Sequence, residues 1–210
     1  MIRYVALMLG LTAATAPARE CEGILLPSRH VVLSTLAGGV VISLPYREGQ
    51  YVKEGTVLLA MDPTKDSLQL ILAQRSLEKS RIRKRGVVES EVDLRLRQIA
   101  LGELTIKAPF SGTIAKIDAK EHEYYSAGTK VIELVDLSAL MTEIHVSSAE
   151  VETLKKRKNG ITVFKGNNEV PGRYYAHNPL GEPGVGLFLV KIGFTNSRSW
   201  DPGTYVKVRF

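Results

Sequence analysis

The chain has 210 residues, of which 44% are hydrophobic and 24% charged, and this composition excludes a disordered or fibrous protein. The formal net charge of +6 comes from basic residues dispersed along the chain, so we expect no nucleic-acid partner. Cys21 is the only cysteine, which excludes an internal disulfide.

The first 18 residues have the features of a secretory signal. Arg3 precedes an uncharged stretch that ends in the small-x-small pattern Ala16-Pro17-Ala18. The apolar part is well short of the ~20 residues that a transmembrane helix needs. We therefore predict a cleaved signal peptide over residues 1–18 and a periplasmic location, with residues 19–35 forming an N-terminal strand or linker.

Two later segments, residues 39–62 and residues 112–135, resemble each other. The offset of 73 residues, from Gly39 to Gly112, is kept along both copies. Corresponding residues include Val41 and Ile114, Leu44 and Ile117, Glu48 and Glu121, Gly55 and Gly128, and Thr56 and Thr129. Each copy alternates short β-branched runs with glycines, which predicts a strand-turn-strand unit. Neither copy has enough apolar surface for its own core, so we expect the two to pack as one β-sandwich.

Glycines mark the predicted structural turns of these strands. They are Gly39, Gly49, Gly55, Gly112, Gly128 and, near the C-terminus, Gly203. Glycine suits such turns because it accepts a positive φ without steric cost.

A segment with helical periodicity, residues 63–103, separates the two copies. Asp62 and Pro63 predict a helix start, and the absence of glycine and proline from Lys65 to about Arg85 predicts one helix that Gly86 ends. A second helix is predicted to begin at Ser90. The apolar face of this helical hairpin is formed by Leu68, Ile71, Leu72, Leu77 and Ile82 in the first helix and by Val88, Val92, Leu96 and Ile99 in the second.

Residues 138–210 are predicted to form a small β-barrel. Met141–Val146 alternates as a strand does, and Ser147 with Glu150 forms a capping box for a short helix that Gly160 ends. Four more strand patterns follow at even spacing, separated by turns that include Gly166-Asn167-Asn168, residues 181–184 and residues 201–203.

Three segments carry a resemblance to a known family: residues 38–62, residues 104–114 and residues 200–208. In this order around a helical insert, they resemble the membrane fusion, or periplasmic adaptor, family. The resemblance implies a mainly β fold with an α-helical hairpin. A lipoyl-like β-sandwich, residues 36–62 plus 104–137, is split by a short hairpin, residues 63–103, and a β-barrel, residues 138–210, follows.

The same resemblance implies a function in export. Such subunits form homo-oligomeric rings that couple an inner-membrane transporter to an outer-membrane channel, without catalysis. The hairpin is shorter than is common in the family. An envelope scaffold, or an accessory subunit of a polysaccharide synthesis and export system without direct contact to the channel, therefore stays open as an alternative.

The hairpin tip is the candidate docking site for a partner. Its residues are Arg81, Arg83, Lys84, Arg85, Gly86 and Val87. Clustered positive charge would speed the encounter with an acidic surface. The same charges would also complement a helix C-terminus, and so would a second basic run at residues 155–158.

No residue pattern in the sequence predicts a catalytic site, a metal site or a cofactor site. The four histidines, His30, His122, His145 and His177, lack the spacing of a zinc site, and no nucleophile elbow or phosphate loop is present. A lipoyl-like sandwich also raises the possibility of a carrier domain with lipoate or biotin on a lysine. Asp62 stands where a biotin acceptor would place that lysine, and the nearby Lys65 is predicted to lie in a helix. We expect no catalytic residue, cofactor or metal, and no enzyme activity.

Overall fold

The computed structural model describes residues 19–156, 160–181 and 184–210. The predicted signal peptide lies outside these residues, as do the last part of the second basic run and the middle of the turn at residues 181–184. The chain divides into two compact units. The first comprises Leu25–Met141 with Gly193–Thr204, and the second comprises Thr142–Ile192, Tyr205–Phe210 and the chain up to Ile24.

Twelve strands and three helices form within the described residues. They are β1 (Glu20–Ser34), β2 (Gly39–Ser43), β3 (Tyr51–Val52), β4 (Val57–Met61), α1 (Thr64–Arg83), α2 (Val87–Glu103), β5 (Thr105–Lys107), β6 (Gly112–Ile117), β7 (Tyr124–Tyr125), β8 (Lys130–Val146), α3 (Ser148–Lys156), β9 (Ile161–Lys165), β10 (Asn168–His177), β11 (Phe188–Thr195) and β12 (Tyr205–Arg209).

The two repeat copies exchange strands to build the sandwich of the first unit. The first strand of one copy pairs with the middle strand of the other, because β2 is antiparallel to β7 and β3 is antiparallel to β6. Tyr124 lies opposite Val40, and Tyr51 lies opposite Thr113. The predicted mainly β fold, with a sandwich made from both copies, is confirmed.

The sandwich core consists of corresponding residues from both copies. Val41 and Ile114 are fully buried, and so is Leu134, which matches the buried Met61. The β-bulge of the β2–β4 pair follows Val41, and that of the β6–β8 pair follows the matching Ile114. Full burial of such an aliphatic side chain contributes about 1.5–3 kcal/mol, so both halves are needed for stability.

Two glutamates tie the halves of the sandwich together in a reciprocal way. The Glu48 carboxylate accepts a hydrogen bond from the backbone N–H of Ile117 at 2.8 Å. The Glu121 carboxylate accepts one from the N–H of Leu44, also at 2.8 Å. Each pair is related to the other by the 73-residue offset, so the repeat in the sequence is a pseudo-twofold symmetry in the structure.

The turns before β3 and β7, the middle strands of the two copies, are also equivalent. The turn before β3 contains a glycine, and the turn before β7 has a histidine at the matching position. Gly49 has a φ of 82° and donates its N–H to Ile114 at 2.8 Å. At the matching position His122 has a φ of 68° and donates its N–H to Val41 at 2.8 Å. His122 therefore has a left-handed backbone conformation, which at the equivalent position is adopted by a glycine, Gly49.

The hairpin begins as the sequence predicts. The Asp62 carboxylate accepts a hydrogen bond from the N–H of Thr64, the first residue of α1, at 2.9 Å, and Pro63 is the N-cap residue. The first helix then ends at Arg83, because Lys84 turns to a left-handed φ of 51°.

The predicted helix boundaries at the turn between α1 and α2 were wrong. Gly86 does not end α1; it immediately precedes α2, with a φ of 68°. Two left-handed residues, Lys84 and Gly86, reverse the chain so tightly that α2 starts at Val87, three residues before the predicted Ser90. The Ser90 hydroxyl donates instead to the carbonyl of Gly86 at 3.0 Å.

Six strands form a closed barrel, in the order β1, β12, β9, β10, β11 and β8, with β8 paired to β1. The predicted capping box of α3 is present, because Glu150 accepts from the Ser147 N–H at 2.8 Å. The sequence did not predict that β1 joins the barrel, which it does by pairing Glu20–Ile24 with β12. The strand β8 runs without interruption from Lys130 through Ser138 to Val146.

Candidate partner-docking surface

Polar side chains form two hydrogen-bonded contacts between the helices of the hairpin. The Ser80 and Ser90 hydroxyls are 2.8 Å apart, and Arg97 donates to Gln69 at 2.6 Å. Across both helices, all of whose residues are described, only Ala73 and Leu77 are buried. The two helices therefore bury little apolar surface against each other.

The predicted apolar residues lie mostly on the outside of the hairpin. Their exposed fractions run from 44% for Ile71 to 77% for Ile82. The others in this range are Leu68, Leu72, Val88, Val92, Leu96 and Ile99, and only Leu77 of the predicted set is buried. Helical periodicity predicted an apolar face on each helix. In the structure most residues of these faces are exposed to solvent and are not buried against the other helix. Exposed apolar surface of this extent makes the hairpin a candidate site of protein contact.

None of the described helices combines the length with the hydropathy that crossing a lipid bilayer requires.

The predicted docking residues form the tip between the two helices. Four basic side chains there are exposed: Arg81, Arg83, Lys84 and Arg85. Gly86 is also exposed, while Val87 is half-buried as the first residue of α2. Arg81 forms an ion pair with Glu91 at 3.1 Å. The other three basic side chains have no ion pair within the described part of the chain, so the tip presents free positive charge.

The second basic run differs from the tip. Lys155 donates to Glu152 at 2.8 Å on α3. This hydrogen bond lowers the pKa of Glu152 and raises the pKa of Lys155. A neighbouring carboxylate thus partly neutralises Lys155, the first residue of this run, whereas Arg83, Lys84 and Arg85 of the tip have no ion pair among the described residues.

The predicted turn glycines are of two kinds. Gly49, Gly55, Gly128 and Gly203 have positive φ values between 78° and 84°, as the turns require. Gly39 and Gly112, the other two, are not in turns, because each is the first residue of a strand without a positive φ.

Close backbone approach explains glycine at those two strand positions. A Cβ on Gly112 would lie 2.5 Å from the carbonyl oxygen of Val135, and one on Gly39 would lie 3.3 Å from the Met61 side chain.

Reactive side chains are dispersed. No group of three His, Cys, Asp or Glu residues in the described ranges could hold a metal ion. His30 lies 3.5 Å from Glu133, and the His177 ring is 2.7 Å from the Tyr174 hydroxyl. Lys65 lies in the first turn of α1 and is exposed. Burial raises the pKa of the half-buried Cys21 thiol, which makes the thiol less reactive.

A lipoyl-like sandwich divided by a helical hairpin and joined to a six-stranded barrel defines the class of periplasmic adaptor proteins. The model of the RND membrane fusion protein barrel-sandwich hybrid domain matches residues 29–137, more than half of the chain. The chain belongs to this family of membrane fusion proteins.

Two relatives show how far the likeness extends in sequence. An uncharacterized protein of Haemophilus influenzae is 23% identical over 201 residues, which cover 85% of this chain and 53% of that protein. The cation efflux system protein CzcB of an Alcaligenes species is 26% identical over 209 residues, covering 81% of this chain and 40% of that protein. The chain thus spans about half or less of the length of these relatives.

Solved structures share the fold. A putative efflux transporter from Bacteroides eggerthii superposes with a TM-score of 0.74 at 20% identity, covering 92% of this chain and 68% of that one. A MacA–MexA chimera that contains the Pseudomonas aeruginosa MexA α-hairpin domain gives a TM-score of 0.77 at 16% identity, covering 91% and 80%.

Proposed function

We propose that this protein is a periplasmic adaptor subunit that couples an inner-membrane transporter to an outer-membrane channel for efflux or secretion. It acts by assembling into a ring and not by catalysis. The observation that carries the proposal is the set of eight apolar side chains on the hairpin that are 44% to 77% exposed, while Ala73 and Leu77 are the buried residues of its two helices. A lone subunit would leave this surface in water, whereas neighbouring subunits would bury it.

The position of the apolar residues supports a ring. The exposed apolar residues of each helix lie outside its contact with the other helix. The hairpin therefore has two separate apolar surfaces, one on α1 and one on α2. Two different surfaces on one molecule give head-to-tail association, which closes into a ring when the rotation between subunits allows.

The ring would place its parts along the export path. The proposal divides the chain into a signal peptide (1–18), an N-terminal strand or linker (19–35), a sandwich (36–62 plus 104–137), a hairpin (63–103) and a barrel (138–210). In this arrangement the exported protein stays in the periplasm and is held at the inner membrane by its transporter.

The basic tip, Arg81 to Val87, is the part proposed to dock onto the channel. Its free positive charge fits an acidic surface, and charge complementarity of this kind mainly raises the association rate. Metal ions are the cargo class to test first, because the relative from Alcaligenes is named a cation efflux protein.

Crosslinking in intact envelopes tests the coupling. Mild crosslinking followed by purification of the tagged chain should recover an inner-membrane transporter together with oligomers of the chain. Recovery of the monomer alone would contradict the proposal. A strain that lacks the chain should accumulate the cargo, and metal sensitivity of that strain is the first phenotype to measure.

A second candidate is an envelope scaffold, or an accessory subunit of polysaccharide synthesis and export, which does not touch the channel. The observation that favours it is the short hairpin, because the 20 residues of α1 rise only about 30 Å. Replacing Arg81, Arg83, Lys84 and Arg85 with Glu decides between the two. Export that falls severalfold supports tip docking, whereas unchanged export supports the scaffold.

A further inference from the structure

The outer surface of the barrel carries a pocket of about 400 Å³. The pocket lies on three neighbouring strands, β1, β12 and β9, and on the turn that joins β9 to β10. Its lining residues all belong to the second unit and are Glu22, Phe164, Gly166, Asn167, Tyr205, Val206 and Lys207. A pocket of this volume has room for a small organic ligand.

Two aromatic side chains form the apolar part of the pocket. Tyr205 is 75% exposed, and Phe164 is half-buried. The Arg209 guanidinium lies 4.5 Å from the centroid of the Phe164 ring, and it donates hydrogen bonds to the Glu20 carboxylate at 3.0 and 2.5 Å. The cation–π contact and the ion pair hold the Phe164 ring in place, so the pocket has one fixed ring and one that is open to solvent.

Three polar side chains lie beside these rings. Glu22 and Lys207 are directly opposite each other on β1 and β12, and both are exposed. Asn167 follows Gly166, whose positive φ of 59° makes the two-residue turn between β9 and β10. None of the three polar side chains forms a hydrogen bond or an ion pair among the described residues. All three are therefore available to a ligand.

The charges around the pocket cancel. Glu22 lies opposite Lys207, and Glu20 lies opposite Arg209, with which it forms an ion pair. Each positive charge thus has a negative charge beside it, and no net charge is left to attract an anion or a cation. This arrangement favours an uncharged ligand.

The donors and acceptors of the pocket suit hydroxyl groups. The Glu22 carboxylate accepts hydrogen bonds, the Lys207 ammonium donates them, and the Asn167 amide does both. A hydroxyl group also does both, so two neighbouring hydroxyls of one ligand could bind the carboxylate and the ammonium together. A sugar ring has neighbouring hydroxyls at its edge and C–H groups on its faces, and the C–H groups can pack on aromatic rings.

We propose that this pocket binds an uncharged saccharide. The sugar ring packs on Tyr205 and Phe164, and its hydroxyls bind the three polar side chains. The saccharide is a free oligosaccharide or a segment of a glycan chain in the cell envelope. This inference goes beyond the proposed function and is independent of it, because the pocket and the hairpin belong to different units.

Nuclear magnetic resonance with the full chain tests the proposal. Titration with cellotetraose, maltotetraose and chitotetraose should shift the backbone signals of Gly166 and Lys207 and the side-chain amide signals of Asn167. We expect a Kd of about 0.1–1 mM for at least one of these sugars. Tyr205→Ala should weaken binding about fivefold to twentyfold because a stacking surface is lost. Lys207→Ala should weaken it about threefold to tenfold because a hydrogen-bond donor is lost.

The matched control is Tyr175→Ala. Tyr175 belongs to the same barrel and is 69% exposed, but it does not line the pocket. This variant should bind the sugar as the wild type does. The replaced tyrosines are both mostly exposed, so we expect both variants to fold, and unchanged signals from the rest of the barrel verify this.

Co-sedimentation with purified peptidoglycan distinguishes the two sources of saccharide. Pelleting of the wild type, with loss of pelleting in Tyr205→Ala, assigns the glycan chain, whereas shifts with a tetrasaccharide without pelleting assign a free oligosaccharide. No shift with any of the three sugars together with no pelleting overturns the proposal. Equal binding by the wild type and Tyr205→Ala also overturns it. If phenethylamine or benzoate shifts the pocket signals and no sugar does, the saccharide class is wrong.

Discussion

The left-handed turn at His122 offers a sharp test of the internal symmetry. Replacing His122 with Gly should stabilise the protein, because the turn at the matching position uses Gly49 with a φ only slightly larger. The His122 side chain is exposed and forms no hydrogen bond or ion pair in the described part of the chain, so the substitution removes no contact.

The size of the effect follows from two opposing terms. A left-handed backbone costs an ordinary L-residue about 1–2 kcal/mol, which glycine avoids. Glycine loses about 0.4–1 kcal/mol more entropy on folding than a residue with a side chain. The net expectation is a gain of about 0.5–1 kcal/mol, or a rise of about 1–4 °C in Tm for a protein of this size.

The matched control is the reverse substitution at the equivalent turn. Gly49→His should lower the free energy of unfolding by an amount similar to the gain from His122→Gly. No atom lies within 4 Å of a Cβ built on Gly49, so backbone strain is the only cost. Urea denaturation followed by circular dichroism measures both variants. A destabilised His122→Gly variant, or a Gly49→His variant as stable as the wild type, would refute the equivalence of the turns.

Three further predictions concern the sandwich. Gly112→Ala should cost more than about 2 kcal/mol in urea denaturation, because the new Cβ would lie 2.5 Å from a backbone carbonyl oxygen, while Gly39→Ala should cost less than about 1 kcal/mol, because its Cβ would lie 3.3 Å from the nearest atom, the Met61 Cβ; equal costs would contradict this reasoning. Glu121→Ala removes the acceptor for a backbone N–H and should cost about 1 kcal/mol, and no loss of stability would show that water replaces the carboxylate. Burial acts to raise the pKa of Asp136, but hydrogen bonds from a serine and from Arg29 outweigh it and hold that pKa below its usual value. Asp136 therefore stabilises the fold above pH ~3.9 and loses this effect as the pH falls through its folded pKa, so Arg29→Ala should move acid unfolding to higher pH, and an unchanged acid transition would count against the ion pair.

The parts of the fold that could be predicted from the sequence are those with a local or repeated signal. The 73-residue repeat predicted which halves pair, because the same hydrogen bonds recur at the same offset. The side-chain hydrogen bonds of Asp62 at the start of α1 and of Glu150 at the start of α3 were recognisable, because donor and acceptor lie within three positions of each other.

The remaining features depend on contacts that a local pattern does not contain. The start of α2 was misplaced because nothing in the sequence marks Lys84 as left-handed. The role of β1 in the barrel depends on a strand almost 200 residues away, β12. The apolar residues of the hairpin were recognised as faces, but periodicity says only that a face exists and not whether it is turned to the other helix or to solvent. The tip residues remain predicted docking residues.

The contact that closes the base of the hairpin has a consequence for its evolution. The Met61 N–H donates to the carbonyl of Leu104 at 2.9 Å, so the residues that leave and re-enter the sandwich are neighbours in a sheet. The strands of the sandwich are therefore connected to the hairpin only at its two ends. Helices could be lengthened by whole heptads, or exchanged for those of another protein, without new demands on the strands, and the reach of the molecule could change while its base keeps the same sequence.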